Sequence, residues 1–386
     1  MSGNLMVNIR PVLSLALSVS FLGIAMAGEP LGLVLSGGAA KGAYEVGVWQ
    51  ALVEADLADD ITAISGTSVG AINAALFASV REPLKCVRLW ENEIGSVFQF
   101  NTNLLIRILG EEGKTKVEHV YAQMRKNIME DMVNAAIWRR CEVAELPREI
   151  KDKIEEDCES VARKRLFLEL PKMKTFTSML YDYDESRSME GFLPIKRLYS
   201  LLLRELPKSW ECGAPAVYAT ALRKEGDSPS IVTFAVKKAC PEERAAMICA
   251  SACLPFLFGA YEVNGATYID GGVGGGDNVP IGIILERYPE IKTVIVVFLD
   301  DEDNIRPGQR NRVRSAARTA GVQLVEVIPS KDINGTFGIC GYIDDSKETV
   351  RDLIELGRQD TREALVKAGL WWNEKLRGIS GKSASR

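Results

Sequence analysis

Ser68 stands in Gly66-Thr67-Ser68-Val69-Gly70, the Gly-x-Ser-x-Gly spacing of a nucleophile elbow, where a strand turns sharply into a helix and holds the hydroxyl out at the top of a sheet. A serine attacks a carbonyl only when a neighbouring base takes its proton. In α/β-hydrolases that base is a histidine placed after the serine and the acid, yet this chain of 386 residues has one histidine, His119, and none follows it. A triad in that order would need its acid between Ser68 and His119. The economical reading is a serine hydrolase with a carboxylate as general base. Asp270 is the leading candidate: it ends an apolar-alternating stretch, expected to be one strand from Tyr261, and Gly271 and Gly272 follow with no bulk to keep its carboxylate from another loop. Partial burial raises the pKa of such a carboxylate toward the working pH and makes it a useful base. Asp277 is the rival in the same glycine-rich loop, where a polar turn suits it to a capping or Asx role.

Acyl transfer also needs donors for the oxyanion. Ser36-Gly37-Gly38-Ala39-Ala40-Lys41-Gly42 follows a short apolar strand pattern at 31–36 and precedes a helical pattern at 44–53. Nearly bare backbone at the start of a helix aims unpaired amides at one point, which suits an oxyanion or a phosphate. A nucleotide P-loop would need Gly-Lys-Ser or Gly-Lys-Thr, whereas Lys41 precedes Gly42 and Ala43, and Gly37, Gly38 and Gly42 do not match the dinucleotide spacing either. The bland alternative is a glycine-rich turn that serves only close packing.

These loops need rigid elements behind them. The stretch from Ile61 to Ser65 predicts a strand and 69–80 a helix, so Ser68 falls at their junction. Runs at 293–298 and 322–328 read as further buried strands, and 347–367 as a charged amphipathic helix. Residues 111–165 mix alternating charges with apolar residues at helical intervals and predict a helical layer, His119 within it. The apolar stretches 104–109 and 198–206 suit either core packing or an acyl-chain groove, core being favoured.

Taken together and in this order, the segment from Ser36, the Gly66 motif and Asp270-Gly271-Gly272 resemble the patatin-like phospholipase family, closely over about 31–80 and 212–300. The resemblance implies a three-layer α/β/α sandwich around a mostly parallel sheet, here with a helical insert at about 100–210. It implies a lipid acyl hydrolase with nucleophile Ser68, base Asp270 and oxyanion amides from Gly37, Gly38 and Ala39, supported by Lys41, Gly42, Gly66, Gly70, Gly271 and Gly272. Ala250 to Pro255 looks like the family's small-residue stretch before the acidic motif, and Asn278 and Pro280 like the segment after it. Ala39 departs from the usual third glycine; its amide serves if its backbone angle is one a Cβ tolerates. Two other readings stay open, a non-catalytic lipid-binding module on the same fold and a phosphate- or nucleotide-binding enzyme using the Gly37 loop.

The first 27 residues, with Arg10 before an uncharged run and Ala25-Met26-Ala27 at its end, read as a signal peptide directing export to a periplasmic or secreted location, or as an uncleaved membrane anchor. Residues 28–378 then form one domain and 379–386 a disordered tail. Trp371-Trp372 suits packing of the last helix or contact with a membrane surface, with packing favoured. Eight cysteines show no disulfide framework; Cys249 and Cys253 read as reduced core, and Cys212 with Cys240 is the pair to examine for a bridge. Cysteines and the lone histidine show no metal pattern, and the Ser-Asp chemistry needs no cofactor. With 26% charged residues and a net charge of -5, nothing points to nucleic acid. The expected partners are a phospholipid or other lipid ester and a peripheral membrane surface, with local attraction to anionic lipid through Lys41 or Arg310, Arg312 and Arg314.

Overall fold

The computed structural model describes residues 28–94, 195–224, 229–273, 276–333 and 347–371, together with Val97, Ala122 and Lys126. Strand β1 (Leu31–Leu35) is a wholly buried apolar run. A 3-10 turn, Ala39–Gly42, leads from it into helix α1 (Ala43–Glu54), and β2 (Ile61–Thr67) leads through Ser68 into α2 (Val69–Val80). Helix α3 (Pro83–Leu89), α4 (Lys196–Glu205), β3 (Ala216–Arg223) and β4 (Ser230–Ala235) follow. Next come α5 (Pro241–Ser251), α6 (Pro255–Phe258), β5 (Tyr261–Val263), β6 (Ala266–Asp270) and α7 (Gly282–Arg287). The chain ends with β7 (Thr293–Val297), α8 (Pro307–Ala320), β8 (Gln323–Val327) and α9 (Lys347–Lys367).

Among the described residues the strands form one sheet in the order β5-β6-β3-β2-β1-β7-β8, with β4 also on β3. Pairings from β3 through β2, β1 and β7 to β8 are parallel, while β4, β5 and β6 join antiparallel. Strand residues alternate between faces. Leu33, Leu35, Ile64 and Val297 pack with Trp49 of α1, Leu76 of α2 and Ile354 of α9, whereas Val34, Ala63 and Val296 pack with Ile284 of α7 and Val313 of α8. Helices therefore cover both faces, which makes the three-layer α/β/α arrangement.

Register positions the site. Leu35 pairs with Gly66, so the glycine loop and the elbow leave the sheet at the same carboxyl edge. Thr67 pairs with Thr220, and the next residue of β3, Ala221, pairs with Asp270. Since β4 takes the other edge of β3, β2 and β6 follow one another along a single edge, and Ser68 and Asp270 meet where the two strands adjoin.

Three expectations are corrected or lie elsewhere. The stretch from Tyr261 to Asp270 is a hairpin and not one strand, because Asn264 (φ 51°) and Gly265 (φ 77°) take the left-handed conformations of a tight turn. Cys212 and Cys240 are both exposed and free, so they form no bridge, while Cys249 and Cys253 are free and buried. Leu198 and Leu202 of α4 are fully buried in the core, but most of the stretch expected as a helical insert, including 104–109 and His119, lies outside the described residues, as do 1–27, Trp372 and 379–386. Trp371 packs against the core, with the Arg362 guanidinium 5.4 Å from its ring centre.

Candidate active site

Ser68 occupies the junction of β2 and α2 with φ 55° and ψ -123°, a conformation that L-residues avoid and that marks a strained elbow. The strain is held by close packing: a Cβ on Gly66 would strike the Gly70 carbonyl, and one on Gly70 would come within 2.5 Å of the Leu35 carbonyl oxygen. No other residue fits either place. The Ser68 amide donates to Ser251 Oγ at 2.9 Å.

The Ser68 hydroxyl lies beside the Asp270 carboxylate and favours its charged form, and the carboxylate accepts from the Gly272 amide at 2.7 Å. Burial penalises the charge and pushes the Asp270 carboxyl up to about 6, against the lowering effect of those two groups. The Asp270 amide donates to the Cys253 carbonyl at 2.8 Å and the Gly271 amide to the Ser251 carbonyl at 3.3 Å. Asp277 plays the other part: its Oδ1 accepts from the Val279 amide at 3.3 Å and its carbonyl from the Thr67 hydroxyl at 2.7 Å, an Asx turn that ties the loop to the end of β2.

The glycine loop lies against Ser68. A Cβ on Gly37 would sit 3.1 Å from that of Ser68 and would overlap the Asn278 carboxamide oxygen. Gly38 is extended, and Ala39 has φ 49°, so an alanine occupies the left-handed angle that the family's third glycine would take without strain. The Lys41 amide closes the turn onto the Gly38 carbonyl at 3.2 Å. Gly42 packs on Val69 and the Trp90 ring. Its carbonyl accepts from Asn73 Nδ2 at 2.9 Å, and that group also donates to Glu45 Oε2 at 2.7 Å. Trp90 Nε1 completes the buried network by donating to Asn73 Oδ1 at 2.9 Å. Burial holds the Glu45 carboxyl well above the usual carboxylate range, and the Asn73 bond only partly offsets this.

A family model described as Patatin-like phospholipase matches residues 33–285. The chain belongs to the patatin-like phospholipase family. Over 82 residues, 20% of its length, it is 39% identical to Lysophospholipase nte1 from Aspergillus terreus, and that stretch is 5% of the relative. Among solved structures it is similar to the type III effector protein ExoU of Pseudomonas aeruginosa, with 20% identity, a TM-score of 0.37, and coverage of 88% of this chain and 53% of that one. VipD from Legionella pneumophila is similar at 16% identity and a TM-score of 0.34, over 85% of this chain and 67% of that one. The chain thus spans a small part of the curated relative and about half of ExoU.

Within this patatin-like site, three details depart from the sequence reading. The Gly37 amide is engaged, donating to the Asn278 carbonyl at 3.3 Å, while Asn278 Nδ2 donates to the Gly37 carbonyl at 3.2 Å. Gly37 is therefore clamped on both sides by one residue. Lys41 is not available to lipid: it is 1% exposed and its Nζ lies 2.7 Å from the Asp300 carboxylate. Arg310 and Arg314 share Glu326, and Arg310 also pairs with Glu302, so their charge is met inside the protein. Ser251 lies in the Ala250 to Pro255 stretch of the sequence resemblance but has no role assigned there, and Asn73 and Glu45 carry no sequence signal; the signal for Ser251 is a lone hydroxyl between Ala250 and Ala252. Among the described residues, no group of three or more His, Cys, Asp or Glu could hold a metal ion, and no helix is long and apolar enough to cross a membrane.

Proposed function

We propose that the chain is a lipid acyl hydrolase that cleaves carboxylic esters through an acyl-enzyme on Ser68, with Asp270 as the general base. The observation that carries this reading is the strained Ser68 elbow set next to a buried Asp270, Thr67 and Asp270 pairing with consecutive residues of β3. Asp270 takes the hydroxyl proton as Ser68 Oγ attacks the ester carbonyl carbon. The tetrahedral oxyanion is met by the amides of Gly38 and Ala39, joined by Gly37 once Asn278 lets it go. Protonated Asp270 then gives its proton to the departing alkoxide, which leaves the acyl group on Ser68. A water that loses its proton to Asp270 attacks the acyl-enzyme, and Asp270 returns that proton to Ser68 Oγ as the fatty acid is released. At neutral pH, above about 6, Asp270 is mostly ionised and yet more basic than an exposed aspartate, as a general base requires. The local likeness to a protein named a lysophospholipase supports a lysophospholipid as the first lipid to test.

The test is hydrolysis of a short-chain chromogenic ester and of lysophosphatidylcholine by the full chain in detergent, beside three variants. Ser68→Ala and Asp270→Asn are expected to lose at least about 10³-fold in kcat, while His119→Ala stays within about twofold of the wild type. A folded Ser68→Ala protein with undiminished hydrolysis would sink the nucleophile assignment, and a folded but inactive His119→Ala protein would sink the dyad.

A further inference from the structure

We infer that Ser251 is a positioning residue for this acyl transfer: its hydroxyl fixes the Ser68 amide, and the helix end that carries it fixes the acid as well. The inference rests on the Ser68–Asp270 reading above. Ser251 is the last residue of α5 and is 0% exposed, among small apolar neighbours where a hydroxyl is unfavourable unless both its donor and its acceptor capacity are used. Both are used. Its Oγ accepts from the Ser68 amide at 2.9 Å and donates to the Thr220 carbonyl at 2.6 Å. An amide can only donate and a carbonyl only accept, so the direction of both bonds is fixed.

The two partners are not scattered. Thr220 of β3 pairs with Thr67 of β2, the residue before Ser68, so the hydroxyl ties the sheet to the elbow at their junction. The main chain of the same turn does the corresponding work for the acid, since the Ser251 carbonyl accepts from the Gly271 amide and the Cys253 carbonyl from the Asp270 amide. Such carbonyls at a helix C-terminus have no partner within their own helix and are free to bind elsewhere. One helix end therefore sets the spacing between Ser68 and Asp270. The elbow needs this, because Ser68 at φ 55° and ψ -123° persists only where its surroundings over-determine it. With its one proton given to the Thr220 carbonyl and its side chain fully buried, the Ser251 hydroxyl has no donor to offer a substrate and acts through Ser68.

The experiment compares wild type, Ser251→Ala and Ser251→Cys as full chains, with active sites counted by a fluorophosphonate that labels Ser68 and with kcat and KM for the short-chain ester given per active site. Alanine is expected to lower kcat about 10- to 100-fold, the scale of a slightly misplaced reacting group, with KM within about twofold. Cysteine keeps a weak donor and acceptor in nearly the same volume and should fall between alanine and wild type. A folded alanine variant with kcat within about twofold of wild type overturns the inference, as does a raised KM with unchanged kcat or a cysteine variant no better than alanine. Should alanine fail to fold, cysteine decides alone: a kcat lowered more than about threefold at constant KM supports the inference, and a wild-type kcat overturns it. Failure of the underlying reading looks different, because wild type and Ser68→Ala would then hydrolyse the ester alike whatever stands at 251.

Discussion

Asp270 is 3% exposed, and its carboxyl rises from the ordinary 3.8 to about 6 because burial penalises the charge more than Ser68 and the Gly272 amide favour it. Two consequences follow from one shift. In the proposed mechanism Asp270 is protonated and idle as a base below about pH 6, so kcat/KM is expected to rise with pH through that value and level off above it; a profile flat from pH 5 to 8 would contradict the assignment. Below 3.8 both the folded and the unfolded chain keep the proton, and between 3.8 and about 6 only the folded chain does, so this group's stabilising contribution disappears as the pH climbs through that window. Above it the buried charge costs on the order of 3 kcal/mol, from about 1.4 kcal/mol for each pH unit. Asp270→Asn should therefore melt above the wild type at pH 8 and lose that advantage by pH 4, and thermal melts at both pH values check it. The candidacy of Asp270 was legible because two glycines follow it in sequence; its burial was not, because that depends on α5 and β3 arriving from elsewhere.

Elements announce themselves in the sequence where burial is symmetric. The β1 and β7 runs are apolar throughout because helices cover both faces of the sheet, and they read as strands without ambiguity. The β5–β6 hairpin escaped notice because its alternation continues on both sides of the Asn264-Gly265 turn, although that dipeptide is itself a hairpin signal. The crossing of α1 and α9 was illegible, since it depends on two glycines 310 positions apart: a Cβ on Gly47 would strike the Ile354 carbonyl, and one on Gly357 the Tyr44 carbonyl. Gly357→Ala separates local preference from packing. Helix propensity alone favours alanine by about 1 kcal/mol, but the obstruction is backbone that cannot swing aside, and overpacking costs about 1–3 kcal/mol. The variant is expected to be less stable than wild type in urea, and a higher unfolding midpoint would show that the helices can part without penalty.

At the scale of the molecule, the site is assembled at the carboxyl edge of the sheet from segments near 37, 68, 251, 270 and 300. Motif order in the sequence foretold three of these; the ties at Ser251 and Asp300 are set by tertiary contacts that no local spacing encodes. The same contacts change how the protein meets a lipid surface. With a net charge of -5 and Lys41, Arg310 and Arg314 already opposite Asp300, Glu302 and Glu326, exposed Arg312 is what remains of the four basic residues expected to draw anionic lipid. Long-range repulsion should then oppose approach to a negative bilayer, and salt should relieve it, the screening length falling from about 30 Å at 0.01 M to about 3 Å at 1 M ionic strength. Hydrolysis of vesicles is expected to be slower on anionic than on zwitterionic bilayers of equal substrate content at low salt, with the difference closing as salt is added. A faster rate on anionic vesicles that salt abolishes would instead place an unneutralised basic surface at the membrane contact, and would make charge, not apolar insertion, the attraction that brings Ser68 to its ester.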